Sequence, residues 1–149
     1  MKRAKRYGDE ADAVLRAHVE LSRAFMKLRA RESAWMAERG MTLPQFAILE
    51  ALYHLGRLSV GEVTRLILST PGNITVVIRN LESKGWIRVI ASERDRRIRM
   101  AELTPEGSAL MASLFPDHIA NLTTWYGAGL DAAELQTLSG LLRKLQKAQ

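Results

Sequence analysis

A mainly helical fold carrying one small β-hairpin is what this 149-residue sequence predicts, and three observations predict it. Ile74, Val77, Ile78 and Leu81 recur at the i, i+3, i+4, i+7 spacing that gathers apolar side chains on one side of a helix. Directly after that helix, WIRVI and RIRMAEL read as two short strands enclosing the charged tip ASERDR. Both ends of the chain, about residues 9–38 and 105–149, show long helical periodicity with more apolar surface than a small central unit can cover.

The central helix is marked at both ends. Thr70 is placed to cap it with Pro71 at the first position, and Gly85 follows Lys84 where a left-handed residue ends a helix. Opposite the apolar side lie Gly72, Val76, Arg79 and Ser83, with Asn73, Thr75 and Asn80 on the shoulders and no acid among them. A helix with a short-polar outer face, followed at once by an Arg-rich hairpin, predicts a winged helix-turn-helix. Its helix would enter a major groove of DNA and its hairpin, the wing, a neighbouring minor groove.

Composition narrows the class. Hydrophobic residues make up 47% and charged residues 26%, the balance of a globular domain. No run approaches the roughly 18 apolar residues of a membrane span, and no apolar stretch follows the basic start as in a secretion signal. Cysteine is absent, which excludes disulfides and thiolate metal sites, and a cytoplasmic location is expected. The net charge is +6, unevenly spread: residues 65–99 hold eight basic and three acidic residues, whereas residues 105–149 hold three and four. Basicity concentrated on the proposed reading unit suits a phosphate-binding surface; a solvated basic face is the bland alternative.

In chain order, Lys2, Arg3, Lys5 and Arg6 form a short basic arm expected to fray. From about Asp9 to Glu38, Val14, His18, Leu21, Phe25, Leu28, Glu32 and Trp35 alternate four and three residues apart, a seam that wants a partner helix. Thr42 with Gln45 opens a second helix, expected to bury Phe46, Leu49, Leu52, Tyr53 and Leu55 before Gly56 ends it. Ser59 with Glu62 caps a short third helix, VGEVTRLIL, with Val60, Val63, Leu66 and Ile67 facing inward and a turn around Ser69. After the hairpin, Thr104 and Pro105 start a helix to about Tyr126, striped by Met111, Leu114, Phe115, Ile119, Leu122, Trp125 and Tyr126 and containing Pro116. Asp131 with Glu134 caps the last helix, which carries Leu135, Leu138, Leu141, Leu142 and Leu145. The expectation is one domain over residues 1–149: a winged-helix unit at about 42–104, and dimerisation helices at about 9–38 and 105–149. Leu21, Phe25, Ile119, Leu138 and Leu142 are expected at the homodimer interface.

The candidate DNA contacts follow from side-chain chemistry. Thr70, Asn73 and Thr75 lie at or near the start of the reading helix, where side chains approach base edges; Asn pairs with adenine and Thr donates to a base or phosphate. Val76 suits a thymine methyl, and Arg79 reaches guanine or phosphate. In the wing, Arg97 suits a narrowed minor groove with Asp95 bracing it, while Arg94 and Arg96 suit phosphates. His18, His54 and His118 are too far apart in sequence to suggest a metal site, and no catalytic constellation or cofactor motif appears, so neither an enzyme nor a metal or cofactor is expected.

At this point the chain resembles the MarR family of winged-helix transcription regulators over nearly its whole length. The matching stretches, in order, are TLPQFAILEAL, LSVGEVTRLI, GNITVVIRNLESKGWI, DRRIRMAELTPEG, FPDHIANL and ELQTLSGLLRKL. The resemblance implies a homodimer on a near-palindromic duplex, recognition helices in successive major grooves, and often a small aromatic or phenolic effector that releases DNA. Residues 70–84 correspond to the family's recognition helix, and Asp95 and Arg97 to its wing Asp-x-Arg. Val76, Arg79 and Asn80 depart from what many members carry there, so family base contacts do not transfer to them. By resemblance, Met26, Trp35, Tyr53, His54 and His118 lie on helices bordering the effector pocket, with plain core packing as the alternative for each. The function expected is sequence-specific regulation of transcription, as a repressor released by such an effector. The alternatives are a protein-interaction module that does not bind DNA, or a DNA-binding regulator with no effector.

Overall fold

The computed structural model describes residues 5–67 and 71–148. The predicted cap at Thr70, the turn at Ser69, and Lys2 and Arg3 lie outside them. Among the described residues, six helices and three strands follow in the order α1 (Asp9–Ala37), α2 (Leu43–Leu55), β1 (Leu58–Ser59), α3 (Val60–Leu66), α4 (Pro71–Ser83), β2 (Ile87–Ala91), β3 (Arg99–Leu103), α5 (Pro105–Gly127) and α6 (Ala132–Lys147). The chain divides into two compact units, Met1–Phe46 and Ala47–Gln149.

The first unit is α1 and the turn into α2. Gly8, at φ 98°, precedes α1, whose first turn carries Asp9, Glu10 and Asp12 where the helix dipole favours negative charge. Arg6 is not a frayed cation: it pairs with Asp9 at 2.8 Å and with the buried Asp12 at 3.4 Å. Along the seam, Val14 is 64% exposed, Leu21 42% and Phe25 59%, so its apolar face stays largely uncovered within one chain. At the other end Met36, Met41 and Phe46 are buried, and Trp35 sits between the edge-on ring of Phe46 and the guanidinium of Arg39, which lies 4.0 Å from the Trp35 ring centre. Thr42 and Gln45 exchange hydrogen bonds to open α2, as expected.

In the second unit α2 buries Ile48, Leu49 and Leu52, while Tyr53 and Leu55 are exposed, contrary to expectation. Phe46, Leu49 and Leu52 are buried at steps of three; Tyr53 shares their face, but it and Leu55 both sit in the last turn before Gly56, where the helix runs past its cover. Ser59 and Glu62 form the predicted capping box of α3. Leu66 is exposed rather than inward, because the seven-residue helix ends there and only Val63 reaches the interior fully. The core of the unit is completed by Ile74, Ile78 and Leu81 of α4, Ile87, Ala101 and Met111.

The sheet is three-stranded and antiparallel in the order β1-β3-β2, with Leu58 opposite Ala101 and Val89 opposite Ala101 on the other side. The hairpin alone was expected; β1 is two residues long, too short to show a period. The second wing strand starts at Arg99, not at Arg97, and the tip is correspondingly longer. The reason is local: the Arg97 N–H donates to Asp95 Oδ1 and the Ile98 N–H to the Asp95 carbonyl, so these donors close a turn instead of a ladder.

Glu102 of β3 binds the sheet together at the root of the wing. One carboxylate oxygen accepts from Arg88, its cross-strand partner on β2, and the other from Arg57, just before β1. Burial pushes its carboxyl up, but the hydrogen bonds from Arg88 and Arg57 outweigh that and hold it below the ordinary 4.5. The depressed folded value means the stabilisation is complete above the ordinary value and is lost as pH falls through the folded one. Melting temperature is therefore expected to fall below about pH 4.5, and more shallowly in Glu102→Gln, which has no carboxylate to protonate. Parallel melting curves for the two proteins between neutral and acid pH check this.

Candidate nucleic-acid interface

Helix α4 is fixed by Ile74, Ile78 and Leu81 on its buried side, which turns Gly72, Asn73, Thr75, Val76, Arg79, Asn80 and Ser83 out to solvent. Val76 is 57% exposed in the middle of that face, an uncovered β-branched side chain among polar ones. The acid of α4, Glu82, is turned to the wing: its Oε1 accepts the backbone N–H of Val89 on β2 at 3.1 Å. That bond ties the last turn of the reading helix to the wing strand beside it. At its C-terminal end, Lys84 lies 4.5 Å from the ring centre of the half-buried Trp86.

All of residues 93–99 are exposed, so Arg94, Arg96 and Arg97 project at the wing tip. The tip is nonetheless shaped. The Ser92 N–H donates to the Ile98 carbonyl at 2.8 Å, the Arg94 N–H to Ser92 Oγ, and the Arg97 N–H to Asp95 Oδ1 at 2.9 Å. Asp95 thus braces Arg97 through the main chain, leaving the guanidinium able to extend. Arg57 and Arg88, in contrast, are held on Glu102. Sequence reasoning passed over that pair, although opposite charges at facing positions of the two strands, Arg88 and Glu102, were a readable signal.

The five residues expected around an effector fall in both units. Trp35 and Met26, the latter 70% exposed, belong to the first. Tyr53, His54 and His118 come together in the second around Phe115, which the sequence did not single out for this role. His54 and Phe115 ring centres lie 4.5 Å apart, Tyr53 and Phe115 6.0 Å, and Phe115 and His118 5.8 Å. His118 is buried, and Tyr53 and His54 are exposed, so one side of this aromatic cluster meets solvent. Among the described residues no group of three or more His, Asp or Glu is placed to hold a metal ion, and no helix is long and apolar enough to cross a membrane.

Of the residues expected between subunits, Leu21, Phe25 and Ile119 are exposed at 42%, 59% and 49%, and Leu138 and Leu142 are half-buried. The last two line a groove of about 340 Å³ beside Tyr126 and Leu135. No residue of α6 is fully buried within the chain.

Comparison with known proteins agrees with this architecture. The sequence profile of the MarR family matches residues 41–98, from the start of α2 to the wing tip. The HTH-type transcriptional regulator MhqR of Bacillus subtilis is 30% identical over 131 residues, 88% of this chain and 90% of that protein. Among solved structures, BpsR of Bordetella bronchiseptica, whose DNA binding is regulated by 6-hydroxynicotinic acid, superposes with a TM-score of 0.78 at 27% identity, covering 88% of this chain and 98% of BpsR. The MarR family regulator Sco3205 of Streptomyces coelicolor, solved in complex with DNA, gives a TM-score of 0.83 at 20% identity over 99% of this chain and 92% of its own, a likeness of fold.

Proposed function

The chain belongs to the MarR family of transcription regulators, and we propose that it acts as a homodimeric repressor that binds a near-palindromic duplex in the cytoplasm and is released by a small aromatic or phenolic ligand. One observation carries the DNA-binding part: a single compact unit presents a polar, solvent-facing reading helix beside a wing tip with three exposed arginines, and two of the three acids in this stretch, Glu82 and Asp95, are occupied in holding the backbone, which leaves Glu93 outnumbered by the arginines around it. The exposed face therefore carries positive charge and short donors, which is what a phosphate-lined groove attracts.

The exposed apolar seam of α1 and the partly covered stripe of α6 support the dimer, since a second chain would bury both. A charged substitution, Leu142→Asp, is expected to lower the dimer fraction and the DNA affinity together, because one half-site alone is weakly held. Light scattering and a binding titration on the same sample check it, and a folded wild-type monomer at micromolar concentration would overturn the dimer.

The half-exposed cluster of Tyr53, His54, Phe115 and His118 supports a flat aromatic ligand, as does the regulation of BpsR by 6-hydroxynicotinic acid. A ligand releases DNA only as far as it prefers the non-binding arrangement; a coupling of about 1 to 3 kcal/mol weakens binding roughly 5- to 150-fold. The test is fluorescence-anisotropy titration of the duplex upstream of the chain's own coding region, against a shuffled duplex, with and without millimolar aromatic acids. Preference for the upstream duplex, reduced by an aromatic acid, is expected. Equal affinity for both duplexes would overturn specific binding, and indifference to every aromatic acid would overturn the effector.

A further inference from the structure

A cleft of about 240 Å³ separates the reading helix from the root of the wing, lined by Thr75, Arg79 and Glu82 of α4 and by Val89 and Arg99 of the two wing strands. Arg79 and Arg99 are exposed, and neither guanidinium forms an ion pair among the described residues. Glu82, the acid of the cleft, accepts the Val89 N–H, so its carboxylate fastens one wall to the other. Val60 and Ile78 supply apolar wall.

When a helix occupies a major groove and the wing beside it a neighbouring minor groove, the sugar-phosphate strand dividing those grooves must cross the gap between them. In this protein the cleft lies between that helix and the wing. We infer that Arg79 and Arg99 face each other across it as a two-arginine clamp on that strand, so that Arg79 is a phosphate contact rather than a base reader and Arg99 is a DNA-binding residue in its own right. The inference rests on the DNA-binding reading above and assigns the occupant of one part of that surface. The occupant is polyanionic backbone: the cleft offers two guanidiniums to phosphate oxygens, while sugar carbons can lie along the half-buried Val60. Phosphate contacts of this kind set register and affinity without carrying sequence information.

The charge of the clamp matters more than the shape of its arginines, which gives the test its edge. A lysine can replace arginine as a point charge on a phosphate, but it cannot reproduce the bidentate fork that reads guanine. Affinity is measured for wild type, Arg79→Ala, Arg79→Lys, Arg99→Ala and Arg99→Lys at several salt concentrations. The probes are the upstream duplex, a shuffled duplex, and a panel of upstream duplexes changed one base pair at a time. Circular dichroism checks the fold of each variant, and both positions are exposed.

Each alanine variant is expected to flatten the log-affinity against log-salt slope by about 0.9 for every phosphate it leaves unneutralised, roughly 1.8 per dimer, on both the upstream and shuffled duplexes. Each lysine variant should keep most of the slope, and the base-pair preference of Arg79→Ala should match wild type. Arg79→Ala with an unchanged slope but relaxed preference at one base pair per half-site would overturn the clamp and make Arg79 a base reader. Arg99→Ala with wild-type slope would remove Arg99 from the interface. Wild-type protein that binds neither duplex would instead refute the DNA-binding reading itself, and the clamp with it.

Discussion

Gly107→Ala is expected to be strongly destabilising, costing about 3 kcal/mol at the upper end of ordinary overpacking and lowering the melting temperature by roughly 6 to 12 °C. A Cβ at this position would lie 1.9 Å from the carbonyl oxygen of Trp86 and 2.9 Å from its carbonyl carbon, both main-chain atoms that cannot swing aside. The approach is close because three hydrogen bonds converge there. The Thr104 N–H donates to that same Trp86 carbonyl at 3.1 Å, the Thr104 hydroxyl donates to the Gly85 carbonyl, and the Gly107 N–H donates to Thr104 Oγ1. Together they dock the first turn of α5 onto the junction between the reading helix and the wing, so yielding at Gly107 would also loosen the DNA-facing elements. Gly140, in the middle of α6 with nothing within 4 Å of an added Cβ, is the control. Gly140→Ala should be neutral or stabilise by up to about 1 kcal/mol through helix propensity. Urea unfolding of the two variants beside wild type measures both, and a wild-type midpoint for Gly107→Ala would refute the close approach.

The second large effect is expected on DNA affinity. Arg97→Ala should weaken operator binding by about 1 to 3 kcal/mol, roughly 5- to 150-fold, because the guanidinium removed is the one whose backbone the tip holds most firmly. Its N–H is fixed by Asp95 Oδ1, and the residue after it is fixed by the Asp95 carbonyl and by the Ser92 N–H. An arginine presented from such a turn gives up less entropy on entering a narrow minor groove than one on a loose loop. Asp95→Ala should therefore reproduce part of the loss even though it removes a negative charge and so raises the net charge, an effect that alone would favour DNA, so a loss there reports presentation. Arg94→Ala should do less than Arg97→Ala, and in proportion to salt sensitivity rather than to sequence. Anisotropy titrations of the three variants on the upstream duplex decide it, and wild-type affinity for a folded Arg97→Ala dimer would remove the wing from the interface.

Much of this architecture was legible in the sequence because its signals are periodic or capping signals. The apolar stripe of α4, the Ser59–Glu62 and Asp131–Glu134 boxes, and Thr104 before Pro105 each mark an element that the structure contains. What escaped was non-periodic or long-range. Strand β1 has two residues, and Ser59 serves it while also capping α3, so local pattern registers only the cap. The start of β3 moved from Arg97 to Arg99 because an aspartate side chain captured a backbone donor, a competition between turn and ladder that alternation does not reveal. Tyr53 and Leu55 look like core residues by hydrophobicity and become surface by their place on the last turn of α2. For the candidate interface, the exposed residues of α4 and the wing tip were readable one by one. The bonds of Glu82 to β2 and of Glu102 to Arg57 span 7 and 45 positions, and no local spacing announces them, whereas the pairing of Glu102 with Arg88 follows from the hairpin register.

The proposal that two copies of this chain read DNA together is tested most directly by hydroxyl-radical footprinting of wild-type protein on the duplex upstream of its coding region. Two protected patches of equal strength are predicted, related by two-fold symmetry, with centres about one helical turn, roughly 34 Å, apart. Both should vanish together as salt is raised. A single protected half-site, or uniform protection without sequence preference, would contradict it.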